Sequence, residues 1–215
     1  MTNIKYDKIP LVVIKRLPLY QRVLSELAAK GVGRISSQEL AATMKITASQ
    51  LRQDLSFFGS FGQQGYGYRV EQLLDEVNRI LGLNYGTDMV MVGAGYLGKA
   101  LLNYENFRKR GFVIQAVFDI DPELIGKTLN GITVRPSSQL ATYLEQNPTE
   151  IGIICTPAAA AQNVADIMVQ SGIKGIWNFA PVTLKVPETT YVEHVHISES
   201  LMVLSFKIRQ AYRNG

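Results

Sequence analysis

Three glycines, Gly93, Gly95 and Gly98, stand in the order G-x-G-x-x-G directly after the apolar run Met89–Val92. In a strand–turn–helix setting each has a task. Gly93 allows a tight turn, Gly95 lets backbone come close to a pyrophosphate, and Gly98 lets a helix pack closely on a strand. The pyrophosphate would rest on the free N–H groups and positive dipole end of the following helix, against Gly93, Ala94, Gly95, Tyr96, Leu97 and Gly98. With 18 glycines in the chain, such a pattern arises by chance about 0.1 times, so alone it is a weak signal. A second strand-like run, Phe112–Phe118, ends on Asp119, 21 residues past Gly98. An acid there can accept hydrogen bonds from ribose hydroxyls. Asp121 adds a carboxylate that an extra 2′-phosphate would meet, which favours NAD(H) over its phosphorylated form. An ordinary tight turn in a parallel sheet would use the same glycines, and an acid shortly before Pro122 can simply start a turn.

A second group of residues suits another chemistry. Thr47 can cap a helix Ala48–Phe58 on which Leu51, Leu55 and Phe58 face a core at i, i+4 and i+7. Ser49, Gln50, Arg52, Gln53 and Ser56 are left on the outer face. Arginine can grip guanine bidentately, glutamine adenine, and serine either. The preceding short helix opens with a capping box, Ser36 to Glu39, and runs through Met44. Two short helices joined by a tight turn describe a helix-turn-helix. The segment Gly59–Val70 then reads as a β-hairpin wing, alternating Phe61, Tyr66, Tyr68 and Val70 around a Gly62–Gly65 tip. Gln63, Gln64 and Tyr66 of that wing would meet DNA. A solvated polar helix face is the plainer reading of the same residues.

Bulk properties bear on both sites. The chain has 215 residues and a formal net charge of +4. Residues 1–80 hold 11 basic and 7 acidic residues, whereas 81–215 hold 11 of each. The excess positive charge therefore sits ahead of the glycine motif and suggests a polyanionic partner there. No run of ~18 apolar residues could span a membrane. Residues 1–10 do not resemble a signal peptide. The single cysteine, Cys155, excludes an internal disulfide and fits a reducing cytoplasm; its apolar surroundings point to an inert thiol. His194 and His196 are the only histidines, and no metal site is expected.

The elements that must hold these groups follow from periodicity. Leu11–Lys30 reads as one helix with Pro18 near its start, and Glu71–Leu81 as another. Beyond the glycine motif come a helix Lys99–Lys109 and a hairpin Thr128–Val134 around Asn130-Gly131. A helix to Gln146, capped by Ser137 or Ser138, leads to a strand Ile151–Cys155. Then follow a helix Ala158–Ser171 and strands Gly175–Phe179 and Val192–Val195. Such alternation predicts parallel strands with helices on both faces. Ser198–Arg213 is a final helix whose stripe of Leu201, Leu204, Ile208 and Tyr212 must pack on its own domain or on a partner subunit. The expected architecture is an α/β chain in three parts. A winged-helix DNA-binding domain (1–84) precedes a Rossmann-like dinucleotide domain (85–195), and a terminal helix (196–215) completes it.

Four segments together carry a resemblance to a known family. They are Arg16-Leu17-Pro18-Leu19-Tyr20, the L-R-x-D-L-S-x-F-G pattern from Leu51 onward, Gly93–Gly98 followed by Ala100-Leu101-Leu102-Asn103-Tyr104, and Gly175–Pro181. Over nearly its whole length the chain resembles the Rex redox-sensing transcriptional repressors. The resemblance implies a cytoplasmic homodimer with an exchanged C-terminal helix that binds palindromic operator DNA and leaves it when NADH replaces NAD⁺. NAD(H) would then be an effector and not a redox co-substrate, with no catalytic residue. It also implies that Gly93, Gly95, Gly98 and Asp119 hold the dinucleotide, with Thr156, Pro157, Asn178 and Phe179 on the nicotinamide side. Arg16 and Tyr104 match residues that distinguish the cofactor states. His196 stands where the family often has an aspartate, and Gln63 where it often has a basic residue. A dehydrogenase is the rival reading, but no acid/base pair or substrate domain is apparent. A nucleotide-gated adaptor binding RNA or protein is the third.

Overall fold

The computed structural model describes residues 9–59 and 66–213. The chain divides into two compact units, Met1–Tyr85 and Gly86–Gly215. Within the first, the expected helix from Leu11 is two: α1, Leu11–Ile14, and α2, Leu17–Ala29. Pro18 is the cause. It lies in the first turn of α2, and in a continuous helix its ring would collide with the carbonyl of Ile14. Next come β1 (Arg34–Ile35), α3 (Ser37–Met44), α4 (Ala48–Ser56), β2 (Tyr68–Arg69) and α5 (Val70–Ile80). The Ser36 capping box forms as expected: Ser36 Oγ accepts from the Glu39 N–H and Glu39 accepts from the Ser36 N–H. Those bonds hold the Glu39 carboxyl below its ordinary range. Thr47 Oγ1 likewise accepts from the Gln50 N–H, and α4 stops at Ser56, two residues short of Phe58.

The expected wing lies only partly within the described residues. Residues 60–65, including Phe61, Gln63, Gln64 and the Gly62–Gly65 tip, lie outside the described residues. Tyr68–Arg69 pairs antiparallel with Arg34–Ile35, and Val70, expected on a strand, begins α5. Its side chain is wholly buried in the helical core with Leu73 and Val77, so burial overrides β propensity here.

The second unit is a seven-stranded sheet with order β5-β6-β4-β3-β7-β8-β9, parallel except for the β5–β6 edge hairpin. Its strands are β3 (Thr87–Val92), β4 (Phe112–Asp119), β5 (Thr128–Leu129), β6 (Ile132–Pro136), β7 (Ile151–Ile154), β8 (Gly175–Asn178) and β9 (Tyr191–His194). Helices α6 (Tyr96–Leu102), α7 (Asn106–Lys109), α8 (Leu140–Gln146) and α9 (Ala158–Gln170) lie between the strands, and α10 (Glu199–Arg213) follows the last one. Both faces are covered because alternate side chains enter different cores. Val90, Val92, Phe118 and Ile154 pack with Leu140, Ala161 and Met168 on one side. Met89, Met91, Val117 and Ile153 pack with Leu102 on the other. Asn130 (φ 47) and Gly131 (φ 82) supply the two left-handed residues of the tight hairpin turn.

Two expectations fail here. The helix after the glycines begins at Tyr96, not Lys99, and breaks at Asn103. Asn103 donates to the Lys99 carbonyl and Asn130 to the Leu102 carbonyl, so side-chain amides take the terminal acceptors and end α6. Neither Ser137 nor Ser138 caps α8, which is entered through a 3-10 turn, Ser137–Gln139, without a side-chain cap. Among the described residues nothing covers the apolar stripe of helix α10: Leu201, Leu204 and Tyr212 are all more than half exposed. No helix among the described residues is long and apolar enough to cross a membrane.

One charge lies inside the first unit. Asp54 of α4 is 2% exposed and accepts from Arg16 Nε at 2.6 Å, from Arg16 Nη2 at 2.7 Å, and from the Tyr20 hydroxyl. The hydrogen bond to Asp54 raises the Arg16 pKa, and burial pushes the Tyr20 phenol above its ordinary range. Removing one partner of a buried pair strands the other. Asp54→Ala should therefore lower the unfolding free energy of this unit by about 3 kcal/mol, read from its urea midpoint. A loss under about 1 kcal/mol would show that the pair contributes no more than a surface one.

Candidate functional site

The sheet reverses its winding at β3. Chain leaving β3 builds β4 and β6 on one side, then returns through β7, β8 and β9 on the other. In such sheets ligands sit outside the carboxyl ends of the strands at the reversal. The glycine turn follows β3 at this point, and it comes very close to the end of β7. Gly93 has φ 102, and a Cβ there would lie 2.5 Å from the Cys155 carbonyl oxygen. At Gly98 a Cβ would overlap the Gly93 carbonyl oxygen. Both residues are glycine because the chain packs against itself. Gly95 differs. Its φ of −67 suits any residue, and nothing lies within 4 Å of its missing Cβ. Among the described residues, neither its φ nor any neighbour requires glycine at this position.

Gly93, Gly95 and Leu97 line a cleft of about 730 Å³ together with Asp119, Asp121, Thr156, Pro157 and Phe179. Asp119 is held rigidly at its edge. Its carboxylate accepts from the N–H groups of Ala94 (2.5 Å), Ile120 (2.7 Å) and Asp121 (2.9 Å). Asp121 itself accepts from the Glu123 N–H. Two hydroxyls lining the cleft, Thr156 Oγ1 and Ser137 Oγ, are buried with no hydrogen-bond partner among the described residues. An unpaired buried polar group costs about 1–3 kcal/mol, and two around one cleft point to a polar ligand. Apolar walls come from Ile120, Leu124, Leu140 and Val164. A long molecule with an apolar ring, hydroxyls and an anionic centre fits these groups.

The sequence-predicted residues divide. Gly93, Gly95, Leu97, Asp119, Thr156, Pro157 and Phe179 meet at the cleft, and Gly98 supports the turn from beneath. Three expectations need correction. The Ala94 N–H is taken by Asp119 and cannot meet a phosphate. The Tyr96 side chain is 98% exposed, so only its backbone N–H, at the start of α6, can serve a ligand. Asn178 is fully buried. Its amide donates to the Ala180 and Val182 carbonyls and lies 3.0 Å from His194 Nδ1, while its oxygen accepts from the Ala180 N–H. Asn178 thus ties down the loop behind Phe179 instead of touching a ligand. His196 stacks on His194, Tyr104 packs edge-on against Phe107, and Arg16 is engaged by Asp54.

In the first unit α3 and α4 form the expected helix-turn-helix, with Lys45 (φ 57) turning the chain between them. Ser49, Arg52, Gln53 and Ser56 are exposed, Gln50 is partly so, and Tyr66 is 69% exposed. Arg52 donates to Ser37 Oγ at the start of α3, and Ser56 donates to the Gln53 carbonyl of its own helix. Sequence reasoning missed Asp54 and Ser137. Asp54 sits between Leu51 and Leu55 on the apolar stripe of α4, and an acid on that stripe is the signal that reveals it. Ser137 carries no such signal.

Comparisons with known proteins agree with both halves. Residues 8–56 match the family described as putative DNA-binding protein N-terminus, and residues 84–182 the family described as CoA binding domain. The redox-sensing transcriptional repressor Rex of Clostridium acetobutylicum is 49% identical over 210 residues, covering 98% of each chain. That of Clostridium tetani is 47% identical over 206 residues, covering 96% of this chain and 98% of the relative. A crystal structure of RSP with NAD⁺ and operator DNA superposes with a TM-score of 0.90 at 45% identity, over 95% of this chain and 94% of that one. RSP with NADH gives 0.89 at 42% identity, over 95% and 96%.

Cys155 lines the same cleft, and burial pushes its thiol up to about 12. At pH 8 its thiolate fraction falls roughly 10³-fold below that of an ordinary cysteine. Labelling of the native protein by a thiol reagent should be slower by about that factor than after unfolding in urea. Comparable rates in the two states would show an accessible, reactive thiol.

Proposed function

The chain belongs to the Rex family of redox-sensing transcriptional repressors, and on that premise we propose that it binds operator DNA through α4 and reads NADH against NAD⁺ in the β3–β7 cleft. Gly95 carries the ligand half of this reading: a pyrophosphate approaching the backbone accounts for a glycine that neither its φ nor its described neighbours require. At the start of α6 the N–H groups of Tyr96, Leu97 and Gly98 would hold the pyrophosphate. Asp119, still able to accept, would take a ribose hydroxyl. Thr156, Pro157 and Phe179 would bound the nicotinamide side, and Thr156 has a hydroxyl to offer it. The dinucleotide would act as an effector and not as a redox co-substrate, a reading supported by the relatives' description as transcriptional repressors. On this reading the chain is a regulator working on DNA in the cytoplasm.

Three parts divide this work, a DNA-binding domain over 1–84, a sensing domain over 85–195 and a dimerising helix over 196–215. The uncovered stripe of α10 supports a homodimer in which a second copy receives the helix. Ser49, Gln50, Arg52, Gln53 and Ser56 would face the major groove. Arg16, Tyr104 and His196 would couple cofactor state to DNA binding. Arg16 is suited to that because any group competing with Asp54 for its guanidinium acts directly on α4. Coupling needs unequal affinity: NADH must favour the state that DNA does not. A tenfold change in operator affinity requires ~1.4 kcal/mol of coupling.

Mobility shifts of operator DNA across a range of NADH:NAD⁺ ratios test the whole reading. Binding should fall as NADH replaces NAD⁺, and binding indifferent to the ratio would refute it. Gly95→Ala tests the site itself. Open space around the missing Cβ predicts unchanged thermal stability, whereas the added methyl should cost about tenfold or more in NADH affinity by blocking the pyrophosphate. Full affinity in the variant would remove the pyrophosphate from this turn.

A further inference from the structure

The ribbon of the first unit carries two charges that its own packing does not use. Arg34 and Arg69 are direct cross-strand partners in the β1–β2 pair. Both are exposed, while their neighbours Ile35 and Tyr68, also partners, are buried in the core. Like charges placed opposite one another in an antiparallel pair destabilise it. Among the described residues neither arginine has a carboxylate at ion-pair distance, and Arg34 has only the Tyr66 carbonyl, at 3.4 Å.

The pair cannot relax by sliding or parting. Gly67 (φ 70) presses on the Ile35 carbonyl so closely that a Cβ would overlap it. At one end Ser36, the residue after β1, caps α3. At the other, Arg69 is the residue from which α5 starts, and the Val70 N–H donates to the Gly33 carbonyl. Backbone on both strands is therefore fixed, and the two guanidinium stems leave it side by side. A bridging anion with several acceptor oxygens relieves the repulsion and satisfies both planar donors.

We infer that Arg34 and Arg69 form a clamp for one stretch of duplex DNA backbone, gripping its phosphates beside the helix-turn-helix. This rests on the DNA-binding reading above and adds to it a sequence-independent contribution to affinity. The exposed face of α4 would supply base recognition, and the arginine pair fixes the register of the unit on the duplex.

The test uses the full chain and two duplexes, one of random sequence and one enriched by the protein from a random pool. Affinity for each is measured by fluorescence anisotropy against salt concentration. The double variant Arg34→Ala/Arg69→Ala should weaken binding to both duplexes by a similar factor, about tenfold or more, and flatten the slope of log affinity on log salt by about 2 for each bound subunit. Arg34→Glu should weaken DNA binding yet raise the thermal midpoint, since it places a carboxylate opposite Arg69. An unchanged salt slope, a loss confined to the enriched duplex, or a lower midpoint in Arg34→Glu would each overturn the clamp while leaving DNA binding by α4 intact. If the unaltered chain binds neither duplex, the DNA-binding reading falls and the clamp falls with it.

Discussion

A single close approach organises the sensing unit. The Cys155 carbonyl stands where any residue but glycine at position 93 would place its Cβ. Because Gly93 is glycine, the ends of β3 and β7 can meet, with the Cys155 N–H donating to the Val92 carbonyl and the Gly93 N–H to the Phe118 carbonyl. That meeting point is also where the sheet changes direction, so the turn, the end of β4 and the start of α9 converge around one cleft. The same constraint sets Gly98 beneath the turn. Helix α6 then begins at once, with its unpaired N–H groups at the cleft.

A different interaction governs the DNA-binding unit. An apolar stripe would be enough to seat α4, yet one of its inward positions is Asp54, answered by Arg16 and Tyr20. Buried pairs of this kind add little net stability over an apolar replacement, and their best-attested use is to fix a register. Here they fix the rotation and height of α4 on the start of α2. Leu51 and Leu55 could tolerate a small slide of the helix; two guanidinium hydrogen bonds to one carboxylate could not. Reading bases with side chains from one helix face requires that accuracy.

Much of this was legible in the residues. Hydrophobic periodicity placed nearly every strand and helix, since burial on one or both faces is what the sequence pattern encodes. The glycine turn and Asp119 were found because their geometry constrains residue type locally. The errors have physical causes of a different kind. Helix ends at Ile14 and Leu102 depend on a proline clash and on amide groups from Asn103 and Asn130, the latter far away in sequence. Asn178 reads as a polar residue at a strand end, and only the fold shows that its amide is used up internally. Ala94 lies within the motif, but its N–H is claimed by an acid 25 residues later. Tertiary hydrogen bonds of this sort leave no local signature. Position 54 did carry one, an acid on an apolar stripe, and the charge partner lies 38 residues earlier.

Asp119 has a consequence for how this protein can change over evolutionary time. Relaxing selectivity toward a phosphorylated dinucleotide usually begins by replacing the ribose acid with a small or basic residue. Here the same carboxylate also fastens the Ala94, Ile120 and Asp121 N–H groups. On the proposed assignment, a substitution that opened the ribose side would also release the turn that would hold the pyrophosphate. Each step along that route would then lose the old effector before it gained a new one. On that assignment, ligand preference and loop architecture would rest on one and the same carboxylate, so neither could be changed without the other.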